Sequence, residues 1–261
     1  MRFVVCIKQV PETTEVQIDP DTRTLMREGI PCIINPFDTY AIEEALKFRE
    51  SAGGEVTVIS MGPPQAEEAL KEALAMGADQ AILLSDPGFR GADTLATART
   101  LAAGIDRLGD FTLIFCGKQA IDGDTAQVGP EIAEILDIAH VTYVQRVCEL
   151  NEESITAERM IEGGYEVIRA QLPALITVVK DINQPRLPTM RGIMRARRTQ
   201  VTVWGMQDLD IPAADVGLEG SPTEVIRVFT PELSAGGEMI SGEPAEQAAA
   251  LASILRDTGL V

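Results

Sequence analysis

The stretch with the most chemistry lies between Phe115 and Glu131, where the sequence runs FCGKQAIDGDTAQVGPE. An apolar run, Leu113 to Cys116, stops at Gly117, and small and polar residues follow. An amphipathic helix is expected from about Thr125. That order reads as strand, loop and helix N-terminus. A helix start preceded by small residues offers unpaired backbone N–H groups to an anion. Gly117, Gly123 and Ala126 would let a phosphate approach the backbone, while Asp122 and Asp124 could accept from hydroxyls or cap the helix. The simpler alternative is an ordinary strand-to-helix loop with an aspartate cap. The spacing matches neither the G-x-G-x-x-G fingerprint nor a P-loop.

Other reactive residue types are sparse. His140 is the single histidine, so a histidine-rich metal site is excluded, and a strand-edge role is expected for it. Cys6, Cys32, Cys116 and Cys148 form no C-x-x-C pair, so no zinc or iron–sulfur site is expected. Cys6 and Cys116 fall in apolar strands, where a reduced cysteine behaves as a small hydrophobe. With 40 acidic against 22 basic residues the net charge is −18, which argues against a general nucleic-acid or anionic-membrane surface. No apolar run reaches the roughly 18 residues of a membrane span. A reduced, cytoplasmic chain without a targeting segment is expected.

The elements that position these residues follow from periodicity. Arg2 to Ile7 is a short β-branched run of the kind buried on both faces of a parallel sheet. Gln17 to Arg27 suggests a small surface hairpin. Asn35 and Asp38 start a helix with Pro36 in its first turn, and Ala41, Ile42, Ala45 and Leu46 give it an apolar face. Strands are expected at Glu55–Ser60, Gln80–Leu84 and Phe111–Cys116. Helices follow them, to about Met76, over Ala92–Leu108 and to about Leu136. Alternation of this kind predicts a doubly wound parallel α/β sheet with helices on both faces. Right-handed crossovers then bring the loops at Cys6, Asn35–Asp38, Ser60–Gly62 and Gly117–Val128 to one edge.

After His140 the pattern changes. Val141–Leu150, Ser154–Ile161 and Tyr165–Gln171 read as an antiparallel meander, and Ala174–Val179 as one more buried strand. Lys180 to Arg198, broken by Pro185, Pro188 and Gly192, should be an exposed loop with a short helix. Its arginines (186, 191, 195, 197 and 198) suit a protein-docking arm better than a nucleic-acid patch, because lysines and aromatics are few. A loop paired with the chain's own acids is the bland alternative. The α/β domain is expected over 1–204. An extended arm over 205–261, with a short strand at Val225–Phe229 and a helix at Ala245–Leu255, buries too little surface to stand alone and is expected to lie on a partner subunit or on the main domain.

Four blocks stand in order: Asn35-Pro36-Phe37 with Ala41, Glu43, Glu44 and Ala45; Ala73 to Asp79; Gly117 to Asp122; and Leu172-Pro173-Ala174 with Asn183 to Arg186 and Ile193 to Ala196. Together they resemble the β subunit of electron-transfer flavoproteins, over about residues 2 to 204. The resemblance implies an adenine-nucleotide-binding fold of the kind also found in universal stress proteins. It further implies a heterodimer with an α subunit that carries an electron-transferring FAD. Carried over by position, the nucleotide contacts of this chain would be Cys6, Asn35, Pro36, Phe37, Asp38, Met61, Gly117, Lys118, Gln119, Ala120, Ile121, Asp122, Gly123, Asp124, Thr125, Ala126, Gln127 and Val128. Docking onto acyl-CoA dehydrogenase-like flavoenzymes would use Arg186, Met190, Arg191, Ile193, Met194 and Arg195, with Met190 where the family usually has leucine.

Within the family the nucleotide of this subunit is either a structural AMP or a second FAD. The small residues from Asp122 to Pro130 resemble the electron-bifurcating members, in which FAD takes hydride from NADH. One electron then goes through the α-subunit FAD to a dehydrogenase, and the other to ferredoxin or flavodoxin. FAD is therefore the expected cofactor, with Gly62-Pro63-Pro64 bordering its ring system. AMP in a non-catalytic subunit is the alternative, and a nucleotide-sensing regulator of the universal-stress type is the reading from another class. No side chain is a compelling acid, base or nucleophile.

Overall fold

The computed structural model describes residues 1–12, 31–226, 236–237 and 239–261. The hairpin expected over Gln17–Arg27 lies outside them, as does most of the strand expected over Val225–Phe229. Two compact units are present, Met1–Ile226 and Arg227–Val261. Residues 205–226, which the sequence reading gave to the C-terminal arm, therefore fold with the α/β unit. They are tied there by hydrogen bonds from Met206 N to Asp86, Leu218 N to Arg90 O, and Thr223 N to Asp93.

The described strands of the first unit are β1 (Arg2–Cys6), β2 (Gln9–Pro11), β3 (Cys32–Ile34), β4 (Glu55–Met61), β5 (Gln80–Leu84), β6 (Leu113–Gly117), β7 (Ala139–Leu150), β8 (Ser154–Ile161), β9 (Gly164–Gln171), β10 (Ala174–Val178) and β11 (Thr202–Trp204). The helices are α1 (Pro36–Ala52), α2 (Glu67–Met76), α3 (Thr94–Leu108), α4 (Val128–Ile135) and α5 (Met190–Arg198). In the second unit, α6 (Pro244–Asp257) opens with the Glu246 side chain accepting from the Glu243 N–H (3.1 Å). Among the described residues no helix is long and apolar enough to cross a membrane.

Nine strands form one sheet in the order β11-β5-β4-β1-β6-β10-β7-β8-β9, and β2 pairs with β3 separately. The parallel core is where the unbroken apolar runs lie, because strands buried on both faces must be apolar on both. Phe3 and Val5 of β1 face one layer with Phe115 and Ile176, over helices α1 and α2. Val4 and Cys6 face the other with Ile114, Cys116 and Leu175, over α3 and α4. With only seven phenylalanines in the chain, the first layer gathers three of them: Phe3, Phe48 and Phe115 stand 6.1–6.3 Å apart, centre to centre. Alanine and aliphatic residues fill most of the rest.

The structure adds three features beyond the sequence expectations. The meander is continuous with the main sheet through β7: Ala139 to Val144 pairs parallel with β10, and Val144 to Leu150 pairs antiparallel with β8. The fully buried run of β10 is placed between β6 and β7, out of chain order. Thr202–Trp204 returns to the far edge beside β5, a three-residue pairing too short to leave a periodic signal.

Candidate functional site

Strand β1 leads through α1 on one face of the sheet, and β6 leads to α4 on the other. The strand order therefore reverses between β1 and β6, which puts the crevice that such sheets use for ligands at their carboxyl ends. Cys6 and Cys116 are paired side by side at this point and both are buried. The hydrogen bond with Cys6, and then burial, hold the Cys116 thiol well above the usual thiol range, so it stays neutral.

The rim of the crevice is built by Asn35, at the N-cap of α1. Its side chain donates to Asp38 Oδ1 (2.9 Å) and to the Gln119 carbonyl (2.9 Å), and accepts from the Ile121 N–H (3.0 Å). It does not cap its own helix. Asn35 is thus a staple that fixes the Gly117–Val128 loop over the start of α1. Gly117 is required beneath that staple: a Cβ there would lie 2.3 Å from Asp38 Oδ1 and 2.7 Å from Phe37.

Asp38 is buried and is held by the N–H groups of Lys8 (2.7 Å) and Gly117 as well as by Asn35. Burial outweighs these three donors and raises its carboxyl from 3.8 to about 7. An acid whose folded value is raised binds its proton more tightly in the native state. The stability it contributes is present at acid pH and declines as pH rises from about 4 to about 7. Comparing denaturant midpoints of wild type and Asp38→Asn between pH 4.5 and 8 should show the wild type losing ground to the variant up to about pH 7, then running level with it. A difference that does not change with pH would mean that Asp38 is ionised throughout.

The loop itself departs from the sequence reading. The helix expected from about Thr125 begins at Val128, because Asp124 (φ 54°) and Ala126 (φ 55°) take left-handed conformations that a helix cannot contain. Such conformations cost non-glycine residues about 1–2 kcal/mol each and are retained where the surroundings or a function demand them. Here they turn the chain so that the N–H groups of Thr125, Ala126 and Gln127 donate to nothing among the described residues. Val128 and Gly129 add the first N–H groups of α4, which have no intrahelical partner. Five consecutive donors form a concave nest suited to an anion. Gly129 lets α4 approach the sheet, for a Cβ there would meet Thr177 Cγ2 at 2.7 Å. Gly123 has nothing within 4 Å of its ideal Cβ, so the outer side of the loop is open.

Two lysines stand at the crevice. Lys8, which the sequence reading passed over although it directly follows the first strand run, pairs with Asp122 at 2.7 Å. Lys118 lies with its ammonium over the rings of Phe37 (5.8 Å) and Tyr143 (5.2 Å). Gln119 and Asp124 hydrogen-bond each other across the loop. The remaining predicted contacts are nearby: Pro36 and Phe37 in the first turn of α1, Ala120 as acceptor for the Asp124 N–H, and Met61 at the end of β4 on the second layer. Among the described residues no group of three or more His, Cys, Asp and Glu side chains is arranged as for a metal.

The six residues expected in the docking arm divide by direction. Arg186 pairs with Glu43 (2.8 Å) and Glu50 of α1, and Asn183 donates to Glu44 (2.9 Å). The Glu43-Glu44 block and the Asn183–Arg186 block are therefore one network, joining segments about 140 residues apart. Arg195 donates to the carbonyls of Leu74 (2.9 Å) and Ala78 (2.8 Å), at the C-terminal end of α2. Ile193 packs against the core. That leaves Met190, Arg191 and Met194 facing outward, joined by Leu187, which the sequence reading missed although it is 86% exposed. Arg191, Met194, Arg195, Arg198 and Thr199 line an open groove of about 560 Å³.

Comparison with known proteins agrees with this architecture. The electron transfer flavoprotein domain matches residues 22–209. A β subunit of electron transfer flavoprotein from Thermoanaerobacterium thermosaccharolyticum is 53% identical over 243 residues, covering 93% of each chain. Subunit CarD of the caffeyl-CoA reductase-Etf complex from Acetobacterium woodii is 49% identical, covering 100% of both chains. Protein FixA of Bradyrhizobium diazoefficiens is 49% identical over 88% of this chain and 83% of its own. A nine-stranded, mostly parallel sheet, a crevice at its switch point and matches along nearly the whole length place the chain in the electron transfer flavoprotein family, among the β subunits.

Proposed function

We propose that the crevice binds FAD, and that the chain works as the β subunit of a heterodimeric, electron-bifurcating flavoprotein. The observation that carries this reading is the nest of unpaired N–H groups from Thr125 to Gly129, with the open face at Gly123 beside it. Backbone donors of this kind bind phosphate. The open side leaves room for a dinucleotide that continues outward, as FAD does and AMP does not. Asn35, Phe37, Asp38 and Lys118 would border the nucleotide, with Cys6 and Cys116 beneath it. Bound FAD would supply exchange between two-electron and one-electron transfer, with NADH as donor and a ferredoxin- or flavodoxin-like carrier as one acceptor. The chain's residues bind and orient; none is placed as an acid or base toward substrate.

The second reading is a structural AMP. It is favoured by the self-satisfied rim: Lys8 with Asp122, Gln119 with Asp124, and Asn35 with both walls form a rigid cradle whose remaining donors suffice for one phosphate. In either case the outward face of α5 (Met190, Arg191 and Met194, with Leu187) is the docking face for a flavin dehydrogenase. Flexible apolar side chains ringed by arginine suit an acidic, partly apolar partner surface. The name of the CarD relative places that protein in a complex with a CoA-ester reductase, which is consistent with such a partner.

The test is a nucleotide count on the complex with its α subunit, denatured after purification. Two FAD and no AMP per heterodimer are expected. One FAD and one AMP would overturn the bifurcating reading and leave a structural, docking subunit.

A further inference from the structure

Tyr143 lies 25 residues from Lys118 in sequence and reads there as an ordinary strand residue. In the structure it is an outlier. It has φ 59°, a value that a bulky side chain rarely takes. It sits where the β7–β10 register slips between Ile176 and Val178, which is a bulge on β7 at the carboxyl end of its neighbour. Bulges of this kind re-aim a side chain, often beside a functional site. The bulge is fastened from below: the Tyr143 N–H donates to Thr177 Oγ1 (3.1 Å), and the methyl of the same Thr177 is what Gly129 of α4 packs against. The strained residue is therefore tied to the first turn of the helix that carries the anion nest.

What the bulge aims at is Lys118. The Tyr143 ring stands 5.2 Å from its ammonium, and the Phe37 ring stands 5.8 Å away. A cation near two aromatic rings is held by their negative faces without being neutralised. The contrast with Lys8 is informative. Lys8 is neutralised by Asp122, whereas no carboxylate among the described residues pairs with Lys118. In a chain with 40 acidic residues, a half-buried cation held by rings instead of an acid stays available to an incoming anion.

We propose that Tyr143 is a positioning residue: through its bulge, and together with Phe37, it holds the Lys118 ammonium toward the phosphate of a bound nucleotide, as the counter-charge beside the Thr125–Gly129 nest. This rests on the nucleotide reading given above, and it applies to the phosphate of AMP or the diphosphate of FAD alike. Tyr143 acts through Lys118 and requires no contact with the nucleotide.

The experiment is a double-mutant cycle on the full-length chain, depleted of nucleotide and titrated calorimetrically with FAD and separately with AMP at 50 and 300 mM KCl. Tyr143→Asn removes the ring but keeps a residue tolerant of positive φ, so the bulge should survive. Lys118→Gln removes the charge. Each single variant should bind about 10- to 100-fold more weakly, the range for losing a charge-assisted contact. The double variant should be no weaker than Lys118→Gln alone, and both lysine variants should show a shallower salt dependence. Tyr143→Phe, which keeps the ring, should restore affinity to within about threefold. Independent, additive losses, or unchanged affinity in Tyr143→Asn, would overturn the proposal. Failure of wild type to bind either nucleotide would overturn the nucleotide reading and this one with it. The stronger of the FAD and AMP arms identifies which phosphate is held.

Discussion

Replacing Asn35 by alanine is expected to lower the unfolding free energy by about 2–4 kcal/mol and, on the proposed function, to abolish nucleotide binding. The side chain is 1% exposed and bridges Asp38, the Gln119 carbonyl and the Ile121 N–H. Alanine leaves all three without that partner. A buried polar group left unpaired costs about 1–3 kcal/mol, more than the net worth of the bond it lost. The loop would lose its buried attachment to the start of α1, leaving the Lys8–Asp122 pair and the Gly117 N–H to hold it beside Asp38. Asp38 would also lose one of its three donors, so its carboxyl should rise further. Asn35→Asp is a sharper variant: it keeps an acceptor for Ile121 but sets a second carboxylate against Asp38 and the Gln119 carbonyl. It should be at least as damaging as alanine at pH 8 and partly recover at pH 5. Thermal melts and limited proteolysis of the 118–127 loop check this. A loop that stays protected in Asn35→Ala would show that the staple is not what holds it.

Gly192→Ala should detach α5 while leaving the rest of the sheet intact. A Cβ at this position would lie 2.2 Å from the backbone oxygen of Ala75, and a backbone atom inside α2 cannot retreat as a flexible side chain could. Two cations bridge the same contact in opposite directions. Arg195 reaches the carbonyls of Leu74 in the last turn of α2 and of Ala78 just beyond it, and Lys71 of α2 reaches the carbonyls of Ala196 and Thr199 at the end of α5. Each helix thereby supplies the C-terminal cation of the other. Lifting α5 to admit a methyl breaks both. Alanine favours helix by up to about 1 kcal/mol over glycine, so a net loss of about 1–3 kcal/mol would mean that packing dominates propensity. Hydrogen exchange should accelerate over 187–199 and remain unchanged in β1, β4 and β6. On the docking role proposed for this face, binding of a partner dehydrogenase should fall with it, since Met190 and Met194 would no longer be presented together. Unchanged exchange over 187–199 would sink this account of the seating.

The two variants test different kinds of information. The Gly117–Glu131 stretch, the start of α1 and the parallel strands were legible because their signals are local. An apolar run, a glycine and a helix start are read within a dozen residues, and alternation of strands and helices then fixes which sheet edge collects the loops. The family resemblance rested on the first two of these together with Ala73–Asp79 and the blocks from Leu172 to Ala196, and the comparisons agree with it. The start of α4 was misplaced by three residues because the left-handed turns at Asp124 and Ala126 carry no glycine to mark them.

Sequence alone determined the fold class, the crevice-forming segments and the amphipathic helices, because hydrophobic periodicity and helix-start chemistry act between near neighbours. Only the tertiary structure decided which charged and polar side chains face which. Arg186 and Arg195 look like part of a basic docking patch in sequence, and in the fold they also bind Glu43 and the carbonyls at the end of α2. Tyr143 looks like one more strand residue, yet it stands over Lys118 because β10 enters the sheet out of chain order and β7 bulges beside it. Those pairings join residues 25 to 143 positions apart. At such distances the partner is set by strand order and helix seating, which no local pattern of residue types encodes.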